Sequence, residues 1–195
     1  MVGHQLRLRP DEIGAVTGLR VTSAVRTWCD LGSSLTVREL VVAGDFLVSR
    51  HRPLASIGML ASAVEARRRR RGAPRLFSAL PLLDERSESP AESIVRTVLV
   101  QAGLPQMDVN VDLYDAHGRF LARPDIRFPG YRLIVEYEGD GHRTDRQQWR
   151  KDFRRTAQLQ LAGETVLRVG ADHLADEILL VGDVAGMLRS LGWAS

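Results

Sequence analysis

Residues 123–142 read RPDIRFPGYRLIVEYEGDGH, and this stretch decides the fold of the second half of the chain. Leu133-Ile134-Val135 is a continuous apolar run, which is typical of a central strand that is buried on both faces. Pro129-Gly130 is a turn signal directly before that strand. The stretch therefore predicts a strand over residues 119–128, a turn, and a second, buried strand over residues 131–138.

Three acidic side chains fall on these two strands. Glu136 and Glu138 lie two residues apart, so in a strand they project to the same face of the sheet. The turn brings Asp125 onto the neighbouring strand, where it can meet Glu136. Converging carboxylates repel each other unless a cation is present, and oxygen ligands of this kind suit Mg²⁺ or Mn²⁺. We therefore expect a metal site here, and such an ion can polarise a phosphodiester and activate a water.

A simpler interpretation treats these groups as strand-edge carboxylates paired with neighbouring arginines, namely Arg123, Arg127 or Arg132. Glu136, however, directly follows the apolar run that predicts a buried strand. A buried carboxylate is costly unless it has a partner. The metal interpretation of Asp125 and Glu136 is therefore favoured.

The residues before these strands predict a helix and a further strand. Ser89-Pro90-Ala91-Glu92 combines a cap, a proline in the first turn and a glutamate three residues after the cap, so it opens a helix. Apolar and polar residues then alternate over residues 107–113, as in a half-buried strand. Residues 115–118 form a turn, which returns the chain antiparallel over residues 119–128.

The residues after these strands predict a helix, a strand and a closing helix. The first helix has a predicted buried stripe of i, i+4 residues: Trp149, Phe153, Ala157 and Leu161. The strand spans residues 164–169 and the closing helix spans residues 176–191. The fold class is therefore α/β (α+β), with a mixed sheet in the order helix, three-stranded meander, helix, strand, helix.

The first 83 residues are predicted to be helical throughout. Thr22 or Ser23 caps the first helix, and Thr36-Val37-Arg38-Glu39 is a capping-box pattern that opens the second. A third helix is predicted over residues 56–70 and a fourth over residues 75–83. The polar stretch over residues 84–90 is the best domain boundary, so we expect a helical region, 1–84, and a second domain, 85–195.

Composition excludes several classes of protein. The longest apolar-leaning stretch, residues 54–64, is too short to cross a bilayer, and the N-terminus lacks the apolar run of a signal peptide. Cys29 is the single cysteine, which excludes an internal disulfide and a cysteine metal cluster. A cytoplasmic location is therefore expected.

Charge is unevenly distributed along the chain. Residues 1–83 contain 13 basic and 6 acidic groups, whereas residues 84–195 contain 14 basic and 18 acidic groups. This asymmetry suits a nuclease that holds phosphates and metal in different places, and it equally suits two unrelated solvated surfaces. Charge alone does not decide between them.

The second half of the chain resembles the PD-(D/E)XK nuclease superfamily, whose core runs αβββαβ. Over residues 87–174 it is similar to a branch of uncharacterised actinobacterial proteins akin to the very-short-patch repair endonucleases. That branch replaces the usual motif lysine by an acidic residue and a glycine, with a histidine three residues later, which Glu138-Gly139 and His142 match. Asp152 and Arg155 match an aspartate and arginine of the next helix, and Glu92 matches a recurrent glutamate.

The resemblance implies a role for each site residue. Asp125, Glu136 and the Tyr137 carbonyl would hold Mg²⁺ or Mn²⁺. Glu138 and Glu92 would complete the shell or bind water. His142 would transfer protons, since the ordinary pKa of histidine lies near neutrality, and Lys151, the single lysine, is an alternative.

Several of these residues have alternative interpretations. Glu92 can complete a capping box with Ser89. His142 follows a Gly-Asp-Gly turn and can be an ordinary surface residue. Asp152 and Arg155 are one helical turn apart and can form an exposed i, i+3 ion pair instead of contacting nucleic acid.

A run of five arginines closes the predicted third helix, and these are further candidate nucleic-acid contacts: Arg67, Arg68, Arg69, Arg70 and Arg71. Such a run contacts the phosphate backbone without reading sequence. A solvated helix end in an arginine-rich proteome is the alternative.

The leading hypothesis is a metal-dependent nuclease that acts on DNA. The alternative is a catalytically inactive nuclease-fold protein that binds DNA or has a regulatory role, which the absence of the motif lysine favours. A component of a defence or toxin–antitoxin system is a third hypothesis, suggested by the proteins with which such domains occur.

Overall fold

The structure is a computed structural model that describes residues 8–139 and 146–194, with the side chains of residues 146–153 left out. The chain divides into two compact units, of which the first ends at Glu85 and the second begins at Arg86. The division lies inside the polar stretch 84–90.

The first unit begins with a β-hairpin. Its strands are β1 (Ile13–Val16) and β2 (Leu19–Thr22), which pair antiparallel after a 3₁₀ turn at Pro10–Glu12. Thr17 and Gly18 connect them with φ of 50° and 82°, as a tight two-residue hairpin turn requires. The prediction that the first 83 residues are helical throughout is therefore wrong here. Strands of four residues are too short for their apolar pattern to distinguish them from a helix.

Four helices follow the hairpin. They are α1 (Ala24–Leu31), α2 (Val37–Val48), α3 (Ile57–Glu65) and α4 (Ala73–Ala79), with a 3₁₀ turn at Leu80–Leu82. Ser23 caps α1, and Thr36 forms the predicted capping box with Glu39 at the start of α2. The core of the unit surrounds Trp28, whose indole N–H donates to the Leu40 carbonyl at 2.8 Å.

The third helix is shorter than predicted. It ends at Glu65, so the arginine run 67–71 lies in the turns after the helix and not on its last turn. The Arg67 guanidinium donates back to the Ala63 carbonyl at 3.1 Å and pairs with Glu12 from the start of the unit. The Arg67 side chain thus satisfies the Ala63 carbonyl at the end of the helix, which favours termination of α3 at this point.

The second unit begins with a helix and a mixed sheet. Helix α5 (Pro90–Gln101) starts at the Ser89 cap, as predicted. The sheet has the order β3 (Asp108–Val109), β6 (Ile126–Phe128), β7 (Leu133–Tyr137) and β8 (Thr165–Val169). The first two pairings are antiparallel and β7–β8 is parallel. The predicted fold class, a helical region followed by an α+β unit with a mixed sheet, is confirmed.

The first two strands of the predicted meander are each broken. The strand predicted over residues 107–113 is divided into β3 and β4 (Leu113–Tyr114), and the strand predicted over 119–128 into β5 (Phe120–Ala122) and β6. The break between β3 and β4 begins at Asn110, whose φ is 48°. The break between β5 and β6 contains Pro124, which has no N–H to donate. Strands β4 and β5 pair only with each other and form a second hairpin.

Helices cover both faces of the four-stranded sheet. One face carries Phe128, Leu133 and Val135 and packs against α5 and against α8 (Glu177–Ser190), which follows the short α7 (Ala171–Ala175). The other face carries Ile134, which packs with Leu159 of α6 (Arg146–Leu161).

The prediction that Leu161 belongs to the buried stripe of α6 is wrong. Leu161 is 89% exposed, whereas Leu159 is buried against the sheet. Leu161 is the last residue of the helix, where the side chains no longer lie over the sheet. The side chains of Trp149 and Phe153, from the same predicted stripe, lie outside the described residues.

Within the part of the chain that the structure describes, none of the helices combines the length and the apolarity that crossing a bilayer would demand.

We predict that Phe128→Ala lowers the free energy of unfolding of the second unit by about 3–5 kcal/mol, because Phe128 is fully buried and its loss leaves a cavity. Hydrogen exchange of the β7 amides measures this change directly. Phe120→Ala is the matched control, since Phe120 is 58% exposed in the same unit. Equal effects of the two substitutions would contradict the packing described here.

Candidate carboxylate site

The pairing of β6 with β7 places two carboxylates on one face of the sheet. Ile126 lies opposite Val135 and Arg127 opposite Ile134, so Asp125, which directly precedes β6, continues the register toward Glu136. Ile134 faces α6, and Glu136, two residues later in the strand, projects to that same face. Both carboxylates therefore lie on the α6 side of the sheet.

Asp125 is held by the backbone of the neighbouring strand. Its Oδ2 accepts the Tyr137 N–H at 2.8 Å. The pKa of Asp125 is raised from 3.8 to about 6, chiefly by burial and also by the negative charges of Glu92 and Glu136. The hydrogen bond from Tyr137 and the positive charge of Arg155 act in the opposite direction. Asp125 is thus a half-buried carboxylate that has more negative than positive charge around it.

Glu136 pairs with an arginine of α6. The Arg155 guanidinium forms an ion pair with the Glu136 carboxylate, whose side chain is only 17% exposed. This ion pair places Arg155 next to the carboxylate pair.

The arginines considered as simple partners of these carboxylates pair elsewhere. Arg123 donates to Asp112 at 2.6 Å, and Arg127 donates to Glu164 at 2.8 Å. Arg132 lies 3.5 Å from the same Glu164 carboxylate. The interpretation of Asp125 and Glu136 as partners of these three arginines is therefore wrong.

Glu92 reaches the same region from the start of α5. Its backbone N–H donates to the Ser89 cap at 3.2 Å, while its carboxylate accepts from the Glu88 N–H at 2.9 Å and from the Asn110 side chain at 2.7 Å. The carboxylate therefore links the helix start to the broken strand. Its charge acts on Asp125, which shows that the two groups are near each other.

Asn110 is a residue of this site that the sequence reasoning missed. Its backbone N–H donates to the Asp125 carbonyl at 3.1 Å, and its side chain donates to Glu92 and to the Arg86 carbonyl at 2.8 Å. It therefore fixes Glu92 and Asp125 relative to each other. The sequence feature that could have identified it is an asparagine within a predicted strand. Asparagine tolerates positive φ and therefore interrupts strands.

Glu138 lies at the rim of the site. Its side chain is 53% exposed, and its carboxylate is 3.9 Å from Arg168 of β8. Arg168 lies beside Glu136 in the parallel register and also donates to Thr156 of α6 at 3.0 Å. Arg168 is a second residue that the sequence reasoning did not single out, and it adds a cation on this face.

Two of the predicted site residues cannot be placed. His142 lies outside the described residues. Asp152 lies in α6, but its side chain, like that of Lys151, is outside the described part.

The five arginines of the run 67–71 have different environments. Arg67 is largely buried and forms an ion pair with Glu12, so the Arg67 guanidinium has a structural partner. Glu12 also pairs with Arg26 at 3.0 Å. Arg68 is exposed and lies 3.3 Å from Glu65. Arg69, Arg70 and Arg71 are exposed. The candidate contacts to nucleic acid in this run are therefore the four after Arg67.

The carboxylate pair has the type of donor atom that a hard divalent cation prefers. Asp125 and Glu136 supply carboxylate oxygens on one face, and the negative charge around half-buried Asp125 is the kind that a bound cation compensates. Among residues 8–139 and 154–194, no group of three or more His, Cys, Asp or Glu side chains is arranged to hold a metal. The donor set in this part of the chain is thus a carboxylate pair, with Glu92 nearby.

Comparison with known proteins gives two relatives and no family. The chain is 33% identical over 116 residues to an uncharacterized protein of Mycobacterium tuberculosis strain CDC 1551 / Oshkosh, and equally to one of strain ATCC 25618 / H37Rv. The match covers 60% of this chain and 42% of each relative, so the chain spans less than half the length of these proteins. No family model matches the chain. No solved structure matches it either.

We predict that Asp125→Asn stabilises the metal-free protein at neutral pH. The pKa of Asp125 is about 6 in the folded chain, above the ordinary value of 3.8, so the folded state keeps a proton that the unfolded chain releases. That stabilising contribution is complete below about pH 4 and is lost as the pH rises through about 6. Asparagine keeps an oxygen for the Tyr137 N–H and has no charge to bury.

The expected gain in the free energy of unfolding is about 1–3 kcal/mol at pH 7.5 in EDTA, and it should vanish near pH 3.5. Urea denaturation at the two pH values measures it. Asp115→Asn is the control of opposite sign, because hydrogen bonds from Arg119 hold the pKa of Asp115 below its usual range. A less stable Asp125→Asn protein at pH 7.5 would refute the charge balance described here.

We predict that Asn110→Gly destabilises the second unit by about 1–3 kcal/mol, because Glu92 and the Arg86 carbonyl each lose a donor. Asn110→Ala should cost about 1 kcal/mol more, because alanine also resists the φ of 48°. Hydrogen exchange of the β6 and β7 amides measures both changes. If the glycine variant were as stable as the wild type, the side-chain bonds would contribute nothing.

Proposed function

We propose that the second unit is a metal-dependent endonuclease of the PD-(D/E)XK type, which hydrolyses phosphodiester bonds in DNA. The observation that carries this proposal is the position of Asp125, directly before β6, and of Glu136, on the adjacent β7. The two lie on one face of the sheet, and the pKa of Asp125 is raised to about 6. Perturbed carboxylates of this kind cluster at functional sites. The order of helices and strands in the unit agrees with the αβββαβ core of that superfamily.

Asp125, Glu136 and the Tyr137 carbonyl are the proposed ligands of Mg²⁺ or Mn²⁺. Once bound, the ion would polarise the phosphodiester and lower the pKa of the attacking water. The Tyr137 N–H orients the Asp125 carboxylate, and Asn110 positions Glu92 beside it. These hydrogen bonds fix the oxygens in place before any ligand arrives.

The two arginines on this face are the proposed contacts to the DNA backbone. Arg155 compensates Glu136, and Arg168 lies next to it in the sheet. Guanidinium groups bind phosphate oxygens in bidentate fashion, so these arginines are suited to contact the DNA backbone near the scissile bond.

Glu138, at the rim, would bind water, and His142 would transfer the proton. Asp152 and the exposed arginines from Arg68 to Arg71 are further proposed contacts to DNA. The proposed location is the cytoplasm.

A second candidate function is a nuclease-fold protein that binds DNA without cutting it, for example as a regulator or within a defence or toxin–antitoxin system. The ion pair between Arg155 and Glu136 favours this alternative. An internal cation already compensates one of the two carboxylates, so metal must compete with it.

We predict that the wild-type protein nicks supercoiled plasmid DNA with Mg²⁺ or Mn²⁺ and not with EDTA. Asp125→Asn and Glu136→Gln should each reduce the rate by roughly 100-fold or more, since several kcal/mol of transition-state stabilisation are lost with the metal. Asp172→Asn, an exposed carboxylate of α7, is the matched control and should cut as the wild type does.

The direct test of the site is metal binding. Mn²⁺ titration followed by electron paramagnetic resonance should show a bound ion in the wild type and a much weaker one in Asp125→Asn. Cleavage that survives in both site variants would refute the site assignment. A folded wild-type protein that shifts DNA on a gel but neither binds Mn²⁺ nor cuts would favour the binding protein.

A further inference from the structure

The hairpin formed by β4 and β5 exposes two aromatic rings. Tyr114 is 53% exposed and Phe120 is 58% exposed, although they are paired residues of one hairpin. Their ring centroids are 6.0 Å apart and the ring planes are inclined by 77°. We call β4, β5 and the connecting residues 115–119 the aromatic hairpin. Single exposed apolar side chains are common on protein surfaces, whereas two exposed rings in contact form a larger apolar surface that a ligand can cover.

A groove of about 670 Å³ lies between the aromatic hairpin and the C-terminal end of α6. Tyr114 and Phe120 line it on one side, and Leu161 and Gln158 of α6 line it on the other. Leu161, at 89% exposure, is the most exposed large apolar side chain among the described residues. Leu161 adds apolar surface to the groove that a ligand can cover.

Arginines supply positive charge to the groove, which Asp115 and Glu164 also line. Arg119 is 77% exposed and pairs with Asp115, and Arg132 is 60% exposed and lies 3.5 Å from Glu164. A guanidinium has five N–H donors, so each of these arginines keeps donors for a further partner. Aromatic faces beside guanidinium groups match the two parts of a nucleotide, since the base stacks and the phosphate pairs with the cations.

The groove adjoins the proposed catalytic face. Arg127 lines the groove and is two residues from Asp125 along the chain, which is about 7 Å in a strand. Arg127 lies opposite Ile134, so the groove and the carboxylate pair share the α6 side of the sheet. A DNA strand that passes Asp125 and Glu136 can therefore continue directly into the groove.

We propose that the aromatic hairpin binds unpaired nucleotides of the DNA substrate, with a base stacked on Tyr114 or Phe120 and the adjoining phosphates on Arg119 and Arg132. This inference rests on the proposed function for its choice of ligand. The base must be unpaired, because the ring faces of paired bases in a duplex are covered by their stacked neighbours. The hairpin thus directs the site to single-stranded segments or to nucleotides displaced from a duplex.

The test is a binding measurement that does not depend on cleavage. Fluorescence anisotropy with a fluorescein-labelled 16-nucleotide single strand and the matching duplex, both in EDTA, compares the wild type with Tyr114→Ala, Phe120→Ala and the double variant. Each single variant should weaken single-strand binding by about 10-fold, and the double variant by more. Duplex binding should change less than 3-fold. Circular dichroism melting confirms that each variant is folded.

Two controls make the result specific. Phe46→Ala removes a phenylalanine that is 68% exposed in the first unit, and it should leave single-strand binding unchanged. Phe120→Trp keeps a stacking surface, and it should restore binding, with quenching of its fluorescence by the single strand. Equal single-strand affinity of the wild type and the double variant, or no single-strand binding by the wild type, would overturn the proposal.

The two proposals fail separately. If the wild type cuts DNA with Mg²⁺ but the hairpin variants bind single strands as well as it does, the nuclease stands and the hairpin assignment falls. Suppose instead that the wild type cuts DNA with neither Mg²⁺ nor Mn²⁺, but that Phe120→Ala weakens single-strand binding and Phe46→Ala does not. The hairpin assignment then stands without the nuclease.

Discussion

The antiparallel pairing of β6 with β7 is the constraint on which the rest of the second unit depends. It buries Phe128, Leu133 and Val135 against α5 and α8, and by the same register it places Asp125 opposite Glu136 on the other face. Because side chains alternate along a strand, a shift of one residue would turn the carboxylates toward α5 and α8 and the apolar side chains toward α6. The core and the candidate site are therefore fixed by one set of hydrogen bonds.

The candidate site works against stability. Asp125 would be more stable as a neutral group in the folded chain, and the nearby charges of Glu92 and Glu136 add to this conflict. The structure compensates with the Tyr137 N–H, the Asn110 amide and the Arg155 guanidinium. A fold that uses this many polar contacts to keep carboxylates together is typical of a site that serves function, because apolar residues would pack there at less cost.

The breaks in the predicted strands are part of the same arrangement. Pro124 ends the ladder just before Asp125, and Asn110 turns the opposite strand so that its side chain reaches Glu92. These breaks also free the residues between them to form the aromatic hairpin, which pairs with itself and not with the main sheet. Interrupted strands of this kind redirect side chains next to functional sites.

Local pattern in the sequence determined several helix starts, the buried strand β7 and the carboxylate pair of this protein. Capping residues at Ser23, Thr36 and Ser89 and the apolar run before Glu136 act over a few residues, so they can be identified without the fold. Tertiary structure alone decided which partners these groups have. The contacts of Arg155 with Glu136, Asn110 with Glu92, and Arg67 with Glu12 join residues 18 to 55 positions apart, and no periodicity encodes such contacts. Chain packing brings their hydrogen-bonding groups together, and burial then makes each bond necessary.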